Sequence, residues 1–297
     1  MTPPPEKDFP SALYCGLSIN SAKRIVIGQL RRAGLDSPDL DARLLVMAAT
    51  GFSHTDIIAR GTDLLSAKAL ERVSDYAERR LAGEPVDHIL GSCEFCGRDF
   101  KTNKDVLSPR PETEMLVDAA LEILKDNPTS RILDLGTGSG AIIVSCLAEG
   151  PHAKGVAVDV SQKALNVAEV NAKTHGVADR LTLLHGSWFE AVSGQFDIIL
   201  SNPPYITDAA MQTLDVEVAQ FDPDLALRGG MDGMTAYRAI IAETKTYIKG
   251  GGTLLLEIGY DQGESVSNML QALPYQDVSI HKDLSGHDRM IKAMRKA

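Results

Sequence analysis

Two short runs hold residue types whose spacing could do chemistry together. The first is Asp134-Leu-Gly136-Thr137-Gly138-Ser139-Gly140, which follows an apolar stretch at 131–135. Alternating glycines permit a tight turn and let a ligand approach the backbone closely. The second is Asn202-Pro203-Pro204-Tyr205, directly after an apolar stretch at 197–200. Consecutive prolines fix the backbone and leave their carbonyls without competing local N–H donors. Asn202 adds a side-chain oxygen, so the run offers two acceptors in a rigid frame. That frame suits an NH2 group with two donors, and Tyr205 supplies a flat face for a planar substrate.

An amide or aromatic amine nitrogen shares its lone pair with the adjacent π system and is a poor nucleophile. Acceptors that hold both hydrogens favour bending toward a tetrahedral nitrogen and stabilise the charge that grows there. A lone pair aimed at a sulfonium methyl could then draw much of the ~7–11 kcal/mol available from orientation. No strong base is needed beforehand, because the methylated cationic nitrogen loses its proton readily.

The glycine run alone does not name its ligand. Ala141 follows Gly140, so the run also satisfies the GxGxxG/A dinucleotide pattern. Asp159 lies at the end of the next apolar run, near the ~20-residue distance at which an acid holds a ribose hydroxyl in dinucleotide folds. Adenosine is common to NAD and S-adenosylmethionine, so Asp159 serves either. It could also cap the helix expected from about Ser161.

The elements that must position these residues are legible as a rhythm. Apolar runs at 131–135, 155–158, 181–184, 197–200 and 253–258 alternate with helical stretches at 161–175 and 233–248. That alternation predicts a parallel sheet with helices on both faces. Further short strands are expected near 277–281 and 289–294. Residues 18–82 read instead as successive helices. Gly34 stops the first, Ser37-Pro38 starts the second, and Leu40, Leu44, Leu45 and Met47 give its apolar face. Ser66 opens another, with Leu70, Val73, Ala77 and Leu81 at helical spacing, while the Lys and Arg residues of 72–80 read as its solvated face. Between the two regions, 94–107 predicts a hairpin turning at Thr102-Asn103-Lys104.

Composition narrows the classes. The 297 residues are 44% hydrophobic and 24% charged, without an apolar run approaching the ~18 residues that span a membrane. Residues 1–10 lack the basic and apolar regions of a secretory signal, so a loose tail and a cytoplasmic location are expected. A net charge of -10 argues against unaided binding to nucleic acid. Of Cys15, Cys93, Cys96 and Cys146, only Cys93-Glu-Phe-Cys96 forms a spaced pair, and no HxxxH accompanies it. Reduced, structural thiols and no metal site are expected.

With these motifs in hand, the chain resembles the release-factor glutamine methyltransferases, the HemK-type family, over almost its whole length from about Ser18. Gly83-Glu-Pro85-Val-Asp-His-Ile-Leu-Gly91 is similar to the family's linker signature, and Pro109-Arg110-Pro111-Glu112-Thr113-Glu114 to the segment before its first catalytic strand. The runs 226–233 and 283–289 match later family segments, and Trp188 an aromatic position beside the cofactor. One departure is Ser108, where the family usually has an aliphatic residue.

The resemblance implies an α/β architecture: a Rossmann-like class I methyltransferase domain with a seven-stranded, mostly parallel sheet behind a small N-terminal helical domain. The expected division is a helical substrate-recognition domain at 1–82, a hairpin linker at 83–108 and the catalytic domain at 109–297. It also implies methylation of the Gly-Gly-Gln glutamine of peptide chain release factors, with S-adenosylmethionine converted to S-adenosylhomocysteine. Gly136, Thr137, Gly138, Ser139, Gly140, Asp159, Trp188 and Asn202 would contact the cofactor. Asn202, Pro203, Pro204 and Tyr205 would hold the glutamine and form the catalytic frame. From the residues alone Trp188 reads as a core aromatic, and Arg110 and Glu112 as a cap or solvated turn; the resemblance gives the latter pair a structural or pocket-shaping role.

Three rivals share some of these features. An adenine-N6 or cytosine-N4 methyltransferase could use the same tetrad, but predicts a basic reading domain. A nicotinamide-dependent oxidoreductase leaves Asn-Pro-Pro-Tyr without a function. A non-catalytic binding protein would not need the full set of site residues.

Overall fold

A computed structural model describes residues 16–297, so the expected N-terminal tail and Cys15 lie outside the described residues. The chain divides between Leu90 and Gly91 into two units.

The first unit is helical: α1 (Ile19–Arg32), α2 (Pro38–Thr50), α3 (His54–Ala59), α4 (Ala67–Leu81) and α5 (Val86–Leu90). Serines start these helices by accepting orphan backbone N–H groups: Ser18 from Ser21, Ser53 from Asp56 and Ser66 from Ala69. Ser37 stands at the cap of α2 without a side-chain bond, and the fixed φ of Pro38 starts that helix. Ile19, Val26 and Leu30 pack on Ala42, Leu45 and Val46 and on Leu70 and Val73 of α4.

The apolar stripe of α2 is rotated from the expected one. Leu40 is 44% exposed, Leu44 and Met47 are only partly buried, and Asp41 points inward instead. Its Oδ2 accepts from Nε of Arg80 at 2.7 Å, with both side chains buried. Arg80 therefore leaves the solvated face on which spacing placed it.

The second unit opens with a hairpin of β1 (Ser92–Phe95) and β2 (Arg98–Lys101). It turns at Cys96-Gly97, whose φ values of 50° and 69° are the left-handed pair that a two-residue hairpin needs. The expected turn at 102–104 instead follows β2. The hairpin buries Phe95 and Phe100 edge to face, with ring centroids 6.0 Å apart.

The chain then continues through α6 (Glu114–Asp126), β3 (Arg131–Leu135), α7 (Ala141–Glu149), β4 (Lys154–Asp159), α8 (Gln162–Thr174), β5 (Leu181–His185) and β6 (Phe196–Ser201). It closes with β7 (Ile206–Thr207), α9 (Val216–Phe221), α10 (Asp224–Leu227), β8 (Arg228–Gly230), α11 (Thr235–Tyr247), β9 (Ile248–Glu257), α12 (Gly263–Gln271), β10 (Tyr275–Lys282) and β11 (Asp288–Arg295). Seven strands form one sheet in the order β10-β11-β9-β6-β3-β4-β5. Only β11 runs against its neighbours.

Alternate residues of the strands feed two cores, as a sheet covered on both faces requires. Ile132, Ile198 and Leu200 pack with Leu116 of α6 and Ile143 of α7. Leu133, Ile199 and Leu254 pack with Phe189, Tyr237 and Ile240. Cys146 is fully buried on α7, and burial pushes its thiol far up, which fits a structural thiol. Among the described residues no helix is long and apolar enough to cross a membrane.

Asp41→Ala should remove one partner of a buried ion pair, a change that typically costs about 3–5 kcal/mol. Urea unfolding would register this as a lower midpoint; an unchanged midpoint would show that the pair contributes nothing net.

Candidate active site

The chain runs from β3 outward through β4 to β5, then returns to lay β6 on the other side of β3. The crevice at this reversal, beyond the carboxyl ends of the strands, is where open α/β sheets bind ligands. The glycine run leaves β3 at that point. Gly136, Gly138 and Gly140 all have positive φ, at 71°, 55° and 79°. Gly136 N and Thr137 N donate to the Val158 carbonyl, which hooks the loop over the end of β4.

Gly140 does a different job from the glycines before it. It stands at the N-cap of α7, where a Cβ would come within 3.0 Å of the Ala168 methyl. Its bare backbone lets α8 close on the loop. Asn171 of α8, fully buried, fastens the same loop: Nδ2 donates to the carbonyls of Ser139 and Lys101, and Oδ1 accepts from Lys101 N.

Asp159 ends β4 facing the glycine loop. Its Oδ2 accepts from Gly138 N and its Oδ1 from Ser161 N, both at 2.8 Å. The cap of α8 is Ser161 itself, so Asp159 is not that helix's N-cap. A carboxylate has about four acceptor sites, which leaves room for a vicinal diol. Burial raises its pKa, and the Ser161 and Gly138 N–H groups oppose the rise. Asp134, buried completely under the loop, accepts from the Thr137 hydroxyl at 2.6 Å, and burial pushes it up to about 7.

Trp188, after β5, has φ of 46°, a left-handed backbone that a bulky side chain rarely takes. One part of its ring packs on the core and another lines a cavity beside Gly136. Trp188 is thus partly a core aromatic and partly a wall of the cavity.

That cavity, about 380 Å³, is large enough for a nucleoside-sized group. Gly136, Thr137, Gly138, Ser139, Asp159, Trp188, Asn202 and Pro204 line it, together with Ser108, Arg110 and Thr113. Gly140, Pro203 and Tyr205 are not among its lining residues. Arg110 forms an ion pair with the buried carboxylate of Asp222 at 2.8 Å, at the cavity wall, whereas Glu112 stays exposed. Ser108 is buried, and its hydroxyl finds no partner where an aliphatic side chain would need none. Among the described residues no group of three or more His, Cys, Asp or Glu could hold a metal ion.

The tetrad 202–205 leaves β6, and the Ser201 hydroxyl anchors that strand end to the Leu135 carbonyl. Asn202 Nδ2 donates to Thr113 Oγ1 at 3.2 Å, and the Thr113 hydroxyl donates to Glu257 Oε2 at 2.6 Å. Tyr205 OH donates to the other oxygen, Oε1, at 3.4 Å. Burial pushes Glu257 up to about 7, while the Thr113 hydroxyl and the nearby Arg289 guanidinium pull it down. Burial, reinforced by the Glu257 charge, pushes the Tyr205 phenol up to about 12.

The tetrad's backbone is braced from behind. Gln262 Nε2 donates to the carbonyls of Tyr205 and Gly233, and its Oε1 accepts from Gly259 N and the Tyr237 hydroxyl. A Cβ at Gly229 would lie 2.8 Å from Tyr205 Cα and carbonyl carbon, and one at Gly233 only 2.4 Å from the Tyr205 carbonyl oxygen. Gly229 and Gly233 thus let this segment press on the tetrad, whereas a Cβ at Gly230 would meet Thr235. Sequence reasoning named that segment, and 283–289, without a role, and it missed Thr113, Asn171, Glu257 and Gln262. The available signal for Glu257 was a carboxylate closing the buried apolar run of Leu254, Leu255 and Leu256.

A sheet with this strand order, one reversed strand beside its edge and a glycine loop at its switch point defines a Rossmann-like methyltransferase. Residues 111–220 match the family model of the methyltransferase small domain, and residues 23–91 that of the PrmC N-terminal domain. The release factor glutamine methyltransferase of Caulobacter vibrioides is 42% identical over 268 residues, covering 90% of this chain and 93% of its own. That of Bradyrhizobium diazoefficiens is 42% identical over 286 residues, covering 95% and 96%. A solved methyltransferase from Pyrococcus furiosus shares the fold, with a TM-score of 0.51 at 17% identity over 75% of this chain and 100% of its own. The chain belongs to the release factor glutamine methyltransferase family.

Gly229→Ala should displace the tetrad's backbone and reduce methyl transfer at least tenfold, on the ~1 Å sensitivity of aligned reactions. Cofactor affinity, measured by calorimetry, should stay near wild type. A normal transfer rate would show that the tetrad does not depend on this close approach.

Proposed function

We propose that the chain transfers the methyl group of S-adenosylmethionine to the side-chain amide nitrogen of the Gly-Gly-Gln glutamine in peptide chain release factors. The observation that carries the reading is that Asn202 and Pro204 line the same cavity as Gly136, Gly138 and Asp159. An acceptor frame for a planar NH2 group thus stands beside a cradle for a nucleoside. The family's names point to the same substrate.

In this reading the backbone of residues 136–140 and the face of Trp188 hold the cofactor, and Asp159 takes the ribose hydroxyls with its spare acceptor sites. When bound, S-adenosylmethionine supplies an electrophilic methyl on a sulfonium. The Asn202 Oδ1 and one proline carbonyl of the tetrad hold the two amide hydrogens, which bends the nitrogen and turns its lone pair toward that methyl. Tyr205 stays neutral at working pH, its phenol pushed up to about 12, and offers its ring to the planar amide. The helical domain, taken as residues 1–82, recognises the protein substrate, and neither a membrane nor a nucleic acid partner is required. The cytoplasm is the compartment this substrate implies.

Mass spectrometry of a purified release factor after incubation with the chain and S-adenosylmethionine should find one added methyl on that glutamine. Asn202→Ala should slow the transfer by roughly 10²–10³, the scale of one preorganised transition-state contact. No methyl on the glutamine from the wild-type chain would refute the substrate assignment. Separately, Asp159→Ala should weaken S-adenosylmethionine binding by ~1.5–3 kcal/mol, the worth of hydrogen bonds to a charged group. Calorimetry with unchanged affinity would remove Asp159 from the ribose site.

A further inference from the structure

We propose that Thr113 and Glu257 are positioning residues that decide which end of the Asn202 amide faces the substrate. The inference rests on the reading that Asn202 accepts a hydrogen bond from the glutamine amide. The two ends of an asparagine amide have nearly the same shape but opposite polarity. Facing the cavity with Oδ1, Asn202 offers an acceptor to the substrate NH2. Turned by half a revolution, it would set NH2 against NH2 and hold nothing.

The geometry selects the first arrangement through the single hydrogen of the Thr113 hydroxyl. That oxygen lies 2.6 Å from Glu257 Oε2, and an ionised carboxylate only accepts, so the hydrogen points at Glu257. Thr113 Oγ1 is then left as an acceptor, and Asn202 must meet it with Nδ2, as it does at 3.2 Å. The second carboxylate oxygen takes the Tyr205 hydroxyl, so both ends of the tetrad are keyed to one group. Glu257, the last residue of β9, is 3% exposed.

Those neighbours make the relay sensitive to pH. Arg289 of β11 and the Tyr205 and Thr113 hydroxyls favour the charged carboxylate, Glu112 opposes it, and burial outweighs them, bringing Glu257 to about 7. The Tyr237 hydroxyl shares its one hydrogen between the Glu257 carbonyl and Gln262 Oε1. Arg289 is itself steadied by Asp283 at 3.3 Å. Above about 7, Glu257 accepts from both hydroxyls. Below it, the added proton is donated toward Thr113, the Thr113 hydrogen turns to Asn202, and the amide is driven to reverse. Turnover should therefore fall as pH drops through about 7.

The test compares the full-length wild type with Glu257→Gln, Thr113→Val and Thr113→Ser, using a release factor and S-adenosylmethionine across that pH range. Glu257→Gln and Thr113→Val should lose about 10–100-fold in kcat, the scale for removing a group that orients a ligand. Thr113→Ser should restore the rate. The wild-type inflection near 7 should vanish in Glu257→Gln. Independently of turnover, the side-chain NH2 resonances of Asn202 in 15N-asparagine-labelled protein, identified by their loss in Asn202→Asp, should titrate in the wild type and not in Glu257→Gln. Methylation by Thr113→Val at the wild-type rate, or Asn202 resonances indifferent to pH, would overturn the relay while leaving the proposed function standing. Conversely, Asn202 resonances that follow Glu257 in a chain that leaves the release factor unmethylated would uphold the relay and refute the substrate.

Discussion

Parallel strands cannot be joined by a tight turn; each must be reached by a crossover over one face of the sheet. All their carboxyl ends therefore share one edge, and everything the site needs must leave from that edge. Here β3 delivers the glycine loop, β4 delivers Asp159, β5 delivers Trp188 and β6 delivers Asn202. The return from β5 to β6 opens the crevice between β3 and its neighbour, so residues far apart in the chain line one cavity. The exact runs of apolar side chains matter less to function than this constraint on where strands end.

A second demand follows from burying that edge. Polar groups withdrawn from water cost free energy unless each finds a partner. The molecule meets the cost with short local chains of donors and acceptors: Thr137 on Asp134, Asn171 across Ser139 and Lys101, and Thr113 between Asn202 and Glu257. Each chain ends on a group that also fixes a loop. Pairing buried polar side chains and fixing the loops of the cavity are therefore one task.

This explains what the sequence made legible. The strands at 131–135 and 181–184, the helix at 161–175 and a parallel sheet covered on both faces follow from periodicity and run length, which depend only on neighbouring residues, whereas the count of seven strands came from the family resemblance. The tetrad and the glycine run were readable because their backbone requirements are local too. Leu40, the hairpin turn and Arg80 were misplaced because their positions depend on partners distant in sequence. Asp41 takes the inward place on α2 only because Arg80, 39 residues on, meets it. Cys96 accepts a left-handed φ because Gly97 completes the turn and the two phenylalanines bury the flanking strands. Thr113 and Glu257 stand 144 residues apart, and no pattern in either segment announces the bond.

The same logic accounts for the segments that matched the family without an evident role. Glycines at 229 and 233 have no chemistry of their own; they remove side chains that would occupy the space of Tyr205. Arg289 brings positive charge to Glu257 and Tyr205 from a strand that runs against the rest of the sheet. Because β11 is antiparallel, its first residues, not its last, reach the functional edge, and Met290 pairs with Glu257. A reversed strand next to the sheet's margin thus delivers a cation that a parallel strand in that place would carry to the opposite edge. The surroundings of the tetrad are in this sense built by the whole sheet, since the polarity of one strand sets the charge around the carboxylate that Thr113 and Tyr205 meet.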